Sequence, residues 1–181
     1  AELDEAIAGA AQGIFSNAGQ VCVAGSRLYV QESVYDTVVE GVAKIAREMT
    51  VGPATKDGLD MGPLISKRHL ASVYELVTGG RAAGARLVAG GELIEGQGGY
   101  FMQPTVFADT SHGMEIVDEE IFGPVLTTVR AANFDEAMDI AADATILFAQ
   151  RHAEKAEGIA AAEDDPQRRA ELQRIAFSLD A

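Results

Sequence analysis

Tryptophan is absent, cysteine occurs once and proline five times in 181 residues. One cysteine cannot close an internal disulfide, so the fold must rest on its core, and a reducing, cytoplasmic setting is expected. The three histidines, His69, His112 and His152, are scattered and have no second cysteine near them, which gives no zinc-ligand spacing and no expected metal. Basic charge is also scarce, 14 Lys and Arg against 28 Asp and Glu, for a net charge of −14. A field of that sign repels phosphate backbones and anionic lipid, so neither nucleic acid nor a membrane is an expected partner. No apolar run approaches membrane-spanning length, and residues 1–15 have no basic lead and are interrupted by Asp4 and Glu5, unlike a signal peptide. The first residue is Ala rather than Met, inside what reads as a helix, which points to an excised or truncated piece.

What the chain does have is apolar content, 48% of its residues, enough for a sizeable core. Leu3, Ile7, Ala10, Ala11 and Ile14 recur at helical spacing, so residues 2–15 read as a helix that runs into the small-residue segment NAGQVCVAGS. RLYVQ (27–31) reads as a strand, and Ser33 with Asp36 as the capped start of a helix to about Met49. Residues 51–64 form a Gly, Pro and Asp loop. Ser66 opens the next helix, with Leu70, Val73, Leu76 and Val77 on one face and Gly79, Gly80 and Gly84 to stop it. ARLVAGG, TVFAD and VLTTVRAA read as strands, and the alternation predicts an α/β layer fold. The glycines of GGELIEGQGGY match no phosphate-loop pattern and predict a hairpin turn instead.

Asn133 with Glu136 predicts a helix cap, followed by helix from Phe134 to about Ile159, an interruption at AEDDP (162–166) and further helix in QRRAELQRIAFSL. From about residue 143 the sequence is Ala- and charge-rich with no strand candidate. The expected division is therefore 1–143 and a helical tail, 144–181. Arg151, His152, Lys155, Arg168 and Arg169 of the tail lie among many acids and read as a solvated, ion-paired face.

Cys22 is the residue with the most chemistry. In a small-residue loop after a helix, exposed backbone N–H groups can activate a thiol and hold an oxyanion. The alternative for such a cysteine is a buried small hydrophobe. Its neighbours FSNAGQVCVAGSRLYV (15–30) closely resemble the nucleophile signature F-x-N-x-G-Q-x-C-x-A-x-x-R of the aldehyde dehydrogenase superfamily, and DEEIFGPVL (118–126) resembles that family's E-E-I-F-G-P-V motif. The similarity continues between the two, through YDTVVEGVAKIAREMTVGPATKDGLDMGPLIS and GYFMQPTVFADTSHGMEIV, so it covers residues 1 to about 143.

The resemblance implies part of an aldehyde dehydrogenase catalytic domain, with a mostly parallel sheet flanked by helices. It also implies oxidation of an aldehyde to an acid, with NAD or NADP as hydride acceptor. Cys22 would be the covalent nucleophile, Asn17 and Gly19 to Val23 would shape its turn, and the Cys22 N–H would supply one oxyanion donor. Glu120 would hold the ribose beside the nicotinamide and Phe122 would contact the ring region. Without the resemblance, Asp118, Glu119 and Glu120 are a solvated acidic turn, Phe122 is core, and Gly123-Pro124 is a rigid turn into a strand. Family members place the dinucleotide domain, the oxyanion-hole asparagine and the water-activating glutamate upstream of the counterpart of residue 1. These residues alone are therefore expected to be weak or inactive.

The tail departs from that family. R-H-A-x-x-A at Arg151–Ala156 and R-x-x-E-L-x-x-I-A at Arg168–Ala176 are similar to a helical stretch of glycyl radical enzymes of the pyruvate formate-lyase type, but no cysteine or radical-glycine motif accompanies them. The two resemblances together predict a joined chain whose tail is catalytically empty. Two readings of other classes are a non-catalytic binding or assembly module, with a homo-oligomer as its simplest form, and a function residing in the glycyl-radical-like tail.

Overall fold

The structure, a computed structural model, describes residues 2–180 and divides into two compact units, one through Ala132 and one from Asn133 onward. The composition change near residue 143 falls inside a helix of the second unit.

In the first unit, helix α1 (Glu2–Phe15) leads to strand β1 (Arg27–Gln31), helix α2 (Tyr35–Glu48) and helix α3 (Lys67–Ala82). Strand β2 (Arg86–Ala89), the two short strands β3 (Leu93–Ile94) and β4 (Phe101–Met102), and strand β5 (Thr105–Ala108) follow. The one-turn helix α4 (Glu115–Asp118) and strand β6 (Val125–Ala131) complete it. The main sheet has the order β1-β6-β5-β2, with β6 parallel to both β1 and β5, and β2 antiparallel to β5. This is the mostly parallel, helix-flanked α/β arrangement that the sequence predicts. GGELIEGQGGY forms the predicted hairpin, with β3 antiparallel to β4.

Both faces of the sheet are covered, which explains why its central strands read as apolar runs rather than as an alternation. Successive side chains of a strand point to opposite faces. Val106 and Leu126 accordingly pack with Ile7, Ile14, Phe15, Val39 and Val42 of α1 and α2. Phe107 and Val125 pack with Val73 and Val77 of α3 and Ile116 and Val117 of α4. The buried threonines satisfy their hydroxyls on backbone: Thr128 Oγ1 donates to Phe107 O at 2.9 Å and Thr110 Oγ1 to Thr128 O at 2.9 Å.

The Ser66 cap is present, its side chain accepting from His69 N, and so is the Asn133 cap, which accepts from Glu136 N. The Ser33 cap is not. Residues Glu32–Val34 form a 3-10 turn and α2 starts at Tyr35 after Val34, without a side-chain cap. Tyr35 is fully buried, and its hydroxyl reaches Thr128 Oγ1 at 2.8 Å and accepts from Asp109 N at 2.7 Å. That anchorage fixes where the helix begins and leaves Ser33 in the turn before it.

The second unit is a pair of helices, α5 (Phe134–Ala162) and α6 (Pro166–Asp180). Ala153, Ala156 and Ala176 form the small core of the pair. Asp165 starts α6 by accepting from Gln167 N at 2.8 Å, with Pro166 in the first helical position, where its missing N–H costs nothing.

Candidate active site

Because β1 and β6 are parallel and paired in register, Arg27 opposite Thr127, the segments that lead into them meet at one edge of the sheet. One is Ser16–Ser26, with Cys22; the other is Glu119–Pro124, with Glu120 and Phe122. The two motifs, far apart in sequence, become neighbours through sheet topology alone.

The Cys22 loop leaves α1 through three residues in the left-handed region: Asn17 (φ 52°), Ala18 (φ 53°) and Gly19 (φ 69°). For the two that are not glycine such a conformation costs about 1–3 kcal/mol each, and it persists only where surroundings enforce it. Here Asn17 Nδ2 donates to Gln20 O at 3.1 Å and Gln20 N to Asn17 O at 3.1 Å. Gln20 also fastens the loop to residues 63–65, its Nε2 donating to Pro63 O at 3.3 Å and its Oε1 accepting from Ile65 N at 2.9 Å. A turn follows, closed by Ala24 N donating to Val21 O at 3.0 Å, with Cys22 and Val23 at its tip. Cys22 is exposed, so the buried-hydrophobe alternative does not hold, and Val23 is 89% exposed beside it. The backbone N–H groups of Cys22 and Val23 have no partner among the described residues.

Glycine is required where the two segments touch. A Cβ on Gly19 would lie 2.0 Å from the Gly123 carbonyl oxygen, and a Cβ on Gly123 would lie 2.8 Å from Val73 Cγ1. Arg27 joins them a second time. Its Nε donates to Val117 O, and its Nη2 to Asp118 O at 3.3 Å and Glu119 O at 3.0 Å. The carbonyls that end α4 are thereby held next to the start of β1. On the same side Tyr29 Oη lies 3.2 Å from His112 Nε2, and His112 Nδ1 lies 3.9 Å from Asp118 Oδ1. Burial pushes the Tyr29 phenol above its usual range, against the lowering effect of Arg27.

Phe122 is half-buried and borders an open cleft of about 620 Å³ with Asn17, Gln20, Leu64, Ile65 and Tyr100. Its carbonyl accepts from His69 Nε2 at 2.7 Å. Cys22 and Glu120 stand outside the cleft walls and are both exposed, and the Glu120 carboxylate has no partner among the described residues. No group of three or more His, Cys, Asp or Glu is gathered as a metal site requires among the described residues, nor is any described helix long and apolar enough to cross a membrane. Arg27 and His69 are the builders of this site that the sequence left without a role, and Gln20, expected to shape the Cys22 turn, also ties that turn to residues 63–65. Gln20 and Arg27 stand inside the nucleophile signature, which was their signal. His69, in the first turn of α3, gave none.

The arrangement is an accessible thiol at a turn with free N–H donors, docked onto a segment that presents an unpaired carboxylate and an aromatic wall. It can support addition of sulfur to an electrophilic carbon, with a carboxylate on the neighbouring segment free to accept hydrogen bonds.

The family model of the aldehyde dehydrogenase family matches residues 1–148, and a pyruvate formate lyase-like model matches residues 120–180. Among curated relatives, the mitochondrial aldehyde dehydrogenase of Leishmania tarentolae is 45% identical over 143 residues, covering 79% of this chain and 28% of that protein. Cytosolic aldehyde dehydrogenase 1 of Rattus norvegicus is 41% identical over 138 residues, covering 76% and 27%. The NAD+ complex structure of aldehyde dehydrogenase from Bacillus cereus superimposes with a TM-score of 0.74 at 42% identity, covering 77% of this chain and 28% of that one. The chain thus spans under a third of the length of the relatives it matches. The family match, the relatives and the shared fold agree with the meeting of the two motifs at one sheet edge: this chain belongs to the aldehyde dehydrogenase family.

Proposed function

We propose that Cys22 is the covalent nucleophile of an NAD- or NADP-dependent oxidation of an aldehyde to a carboxylic acid. The observation that supports this best is the seating of the exposed Cys22 turn, through Gly19 on Gly123, against the segment that bears Glu120 and Phe122. The Cys22 thiolate adds to the aldehyde carbon to give a thiohemiacetal, and the oxygen that gains charge is met by the Cys22 N–H. A nicotinamide cofactor held beside Glu120 and Phe122 would supply the hydride acceptor for this adduct, so that Cys22 would then carry a thioester for water to cleave.

The residues present fit such a cofactor. The unpaired Glu120 carboxylate is an acceptor for the two hydroxyls of a ribose, and Phe122 with Tyr100 gives the cleft apolar walls for a ring. Residues 1–181 by themselves are expected to turn over slowly or not at all, since the water-activating glutamate and the oxyanion asparagine of the family have no counterpart in them. The tail, 144–181 by composition, is assigned no chemistry. One exposed thiol suits a reducing, cytoplasmic setting, although the two relatives above are named for the mitochondrion and the cytosol.

The test is competition between an aldehyde and iodoacetamide for Cys22, read as intact mass. An aldehyde should slow alkylation reversibly by occupying the sulfur, while the corresponding alcohol should not. Equal alkylation in the presence of aldehyde, alcohol or neither would remove the proposal. A second reading, association of copies through the site face, is supported by exposure of Val23 (89%) and Ile65 (81%).

A further inference from the structure

We propose that His69 is a positioning residue of the active site, holding Phe122 in the one backbone conformation that turns its ring toward the cleft. This rests on the reading of Phe122 as a wall of the nicotinamide pocket, and the test below separates the two.

Phe122 has φ 54°, which a bulky aromatic residue does not adopt unaided. The carbonyls after it have backbone donors: Gly123 O accepts from Val125 N at 2.8 Å in a local turn, and Pro124 O from Thr105 N of β5 at 2.8 Å. The Phe122 carbonyl is different, because among the described residues only the His69 side chain donates to it, at 2.7 Å. The imidazole also meets the Phe122 ring edge-on, with centroids 6.2 Å apart and planes inclined by 63°. One side chain therefore fixes both the peptide plane and the ring.

His69 is itself well placed to do so. Its backbone N donates to Ser66 Oγ at 3.1 Å in the cap of α3, directly after the residues that Gln20 grips at Pro63 and Ile65. The contacts run in a closed circuit around the cleft: from the Cys22 loop through Gln20 to residues 63–65, through Ser66 to His69, across to Phe122, and from Gly123 back to Gly19. His69 supplies the link between α3 and the Phe122 segment. Since a carbonyl can only accept, the nitrogen facing it must carry hydrogen, which assigns neutral His69 to the Nε2–H tautomer.

The test uses the full chain. In long-range 1H–15N spectra of 15N-histidine-labelled protein, at a pH where imidazoles are neutral, His69 should be protonated on Nε2, with that proton close to the Phe122 and Gly123 backbone. Protonation on Nδ1 instead overturns the proposal without any variant. His69→Leu should shift the Phe122 Cα and Cβ resonances away from their left-handed values, whereas His69→Gln, which keeps an N–H donor of similar reach, should retain them. Nicotinamide mononucleotide, titrated against the Phe122 ring resonances, should bind His69→Leu about fivefold more weakly than the parent, as expected for the loss of one ordinary hydrogen bond, and His69→Gln within about twofold. Unchanged Phe122 resonances in His69→Leu would refute the positioning role. Failure of the parent chain to respond to the mononucleotide, with the tautomer and variant shifts as predicted, would instead refute the reading of Phe122 and leave the role of His69 in place.

Discussion

At the scale of the residue, the site depends on atoms that are missing as much as on those present. Gly19 brings the nucleophile loop onto the Gly123 carbonyl, where an added Cβ would sit 2.0 Å from oxygen, and it does so at φ 69°. Both penalties act in the folded state, so Gly19→Ala should lower stability by about 1–3 kcal/mol in urea unfolding and slow Cys22 alkylation as the turn shifts. Parent-like stability and reactivity in Gly19→Ala would show that the two segments are not in contact. The residues that carry the proposed chemistry, Cys22, Glu120 and Phe122, were legible because each stands in a short string that resembles a motif of the family. Gly19 was legible only as turn chemistry, since its true constraint comes from a residue about a hundred positions away. His69 was not legible at all: a histidine in the first turn of a helix is an ordinary surface residue until the partner carbonyl is placed.

At the scale of the element, the sheet edge that builds the site is opposite an edge held by charge. Asp109, after β5, accepts from Arg86 Nε of β2 at 2.7 Å and from Arg130 Nε of β6 at 3.0 Å. Arg130 also reaches Glu32 and Asp36, and lies 3.7 Å over the Tyr35 ring. Partial burial raises the Asp109 pKa, but the two arginines outweigh it and hold the carboxyl below its usual value. A carboxylate depressed in the folded state adds stability in full above its unfolded pKa of about 3.9, and that stability is lost as pH falls through the lower folded value. Urea midpoints of Asp109→Asn should therefore lie below the parent at neutral pH and converge with it in acid. A constant gap across that range would mean the ion pairs contribute nothing. The main strands and long helices were readable because β5 and β6 are rich in β-branched residues and the helices keep their spacing, whereas the one-turn helix α4 and the two-residue strand β4 are too short to show a period. The start of α2 was misplaced because Ser33 offers a local cap, while the decisive contact, Tyr35 with Thr128 and Asp109, is made across the sheet.

At the scale of the whole molecule, two sequence regimes correspond to two packing regimes. The first unit has layered apolar clusters on both faces of its sheet, with Phe15, Tyr35, Phe101 and Phe107 among the largest fully buried side chains. The second unit packs alanines and leaves Phe134, Phe148 and Phe177 exposed. The change of composition near residue 143 marks a change in what the residues are like, whereas packing changes at Asn133, where a capped helix begins. The aldehyde dehydrogenase family match runs to residue 148 and the pyruvate formate lyase-like match covers 120–180, so the two overlap across this boundary.

The proposed readiness of Cys22 as a nucleophile held by its loop is tested most directly by comparing its rate of alkylation by iodoacetamide in the folded chain and in the same chain in denaturant. The seated turn and its free N–H donors predict faster alkylation when folded, with the advantage reduced in Gly19→Ala. Slower alkylation in the folded chain would contradict the account, leaving a family fold whose cysteine is not prepared for chemistry.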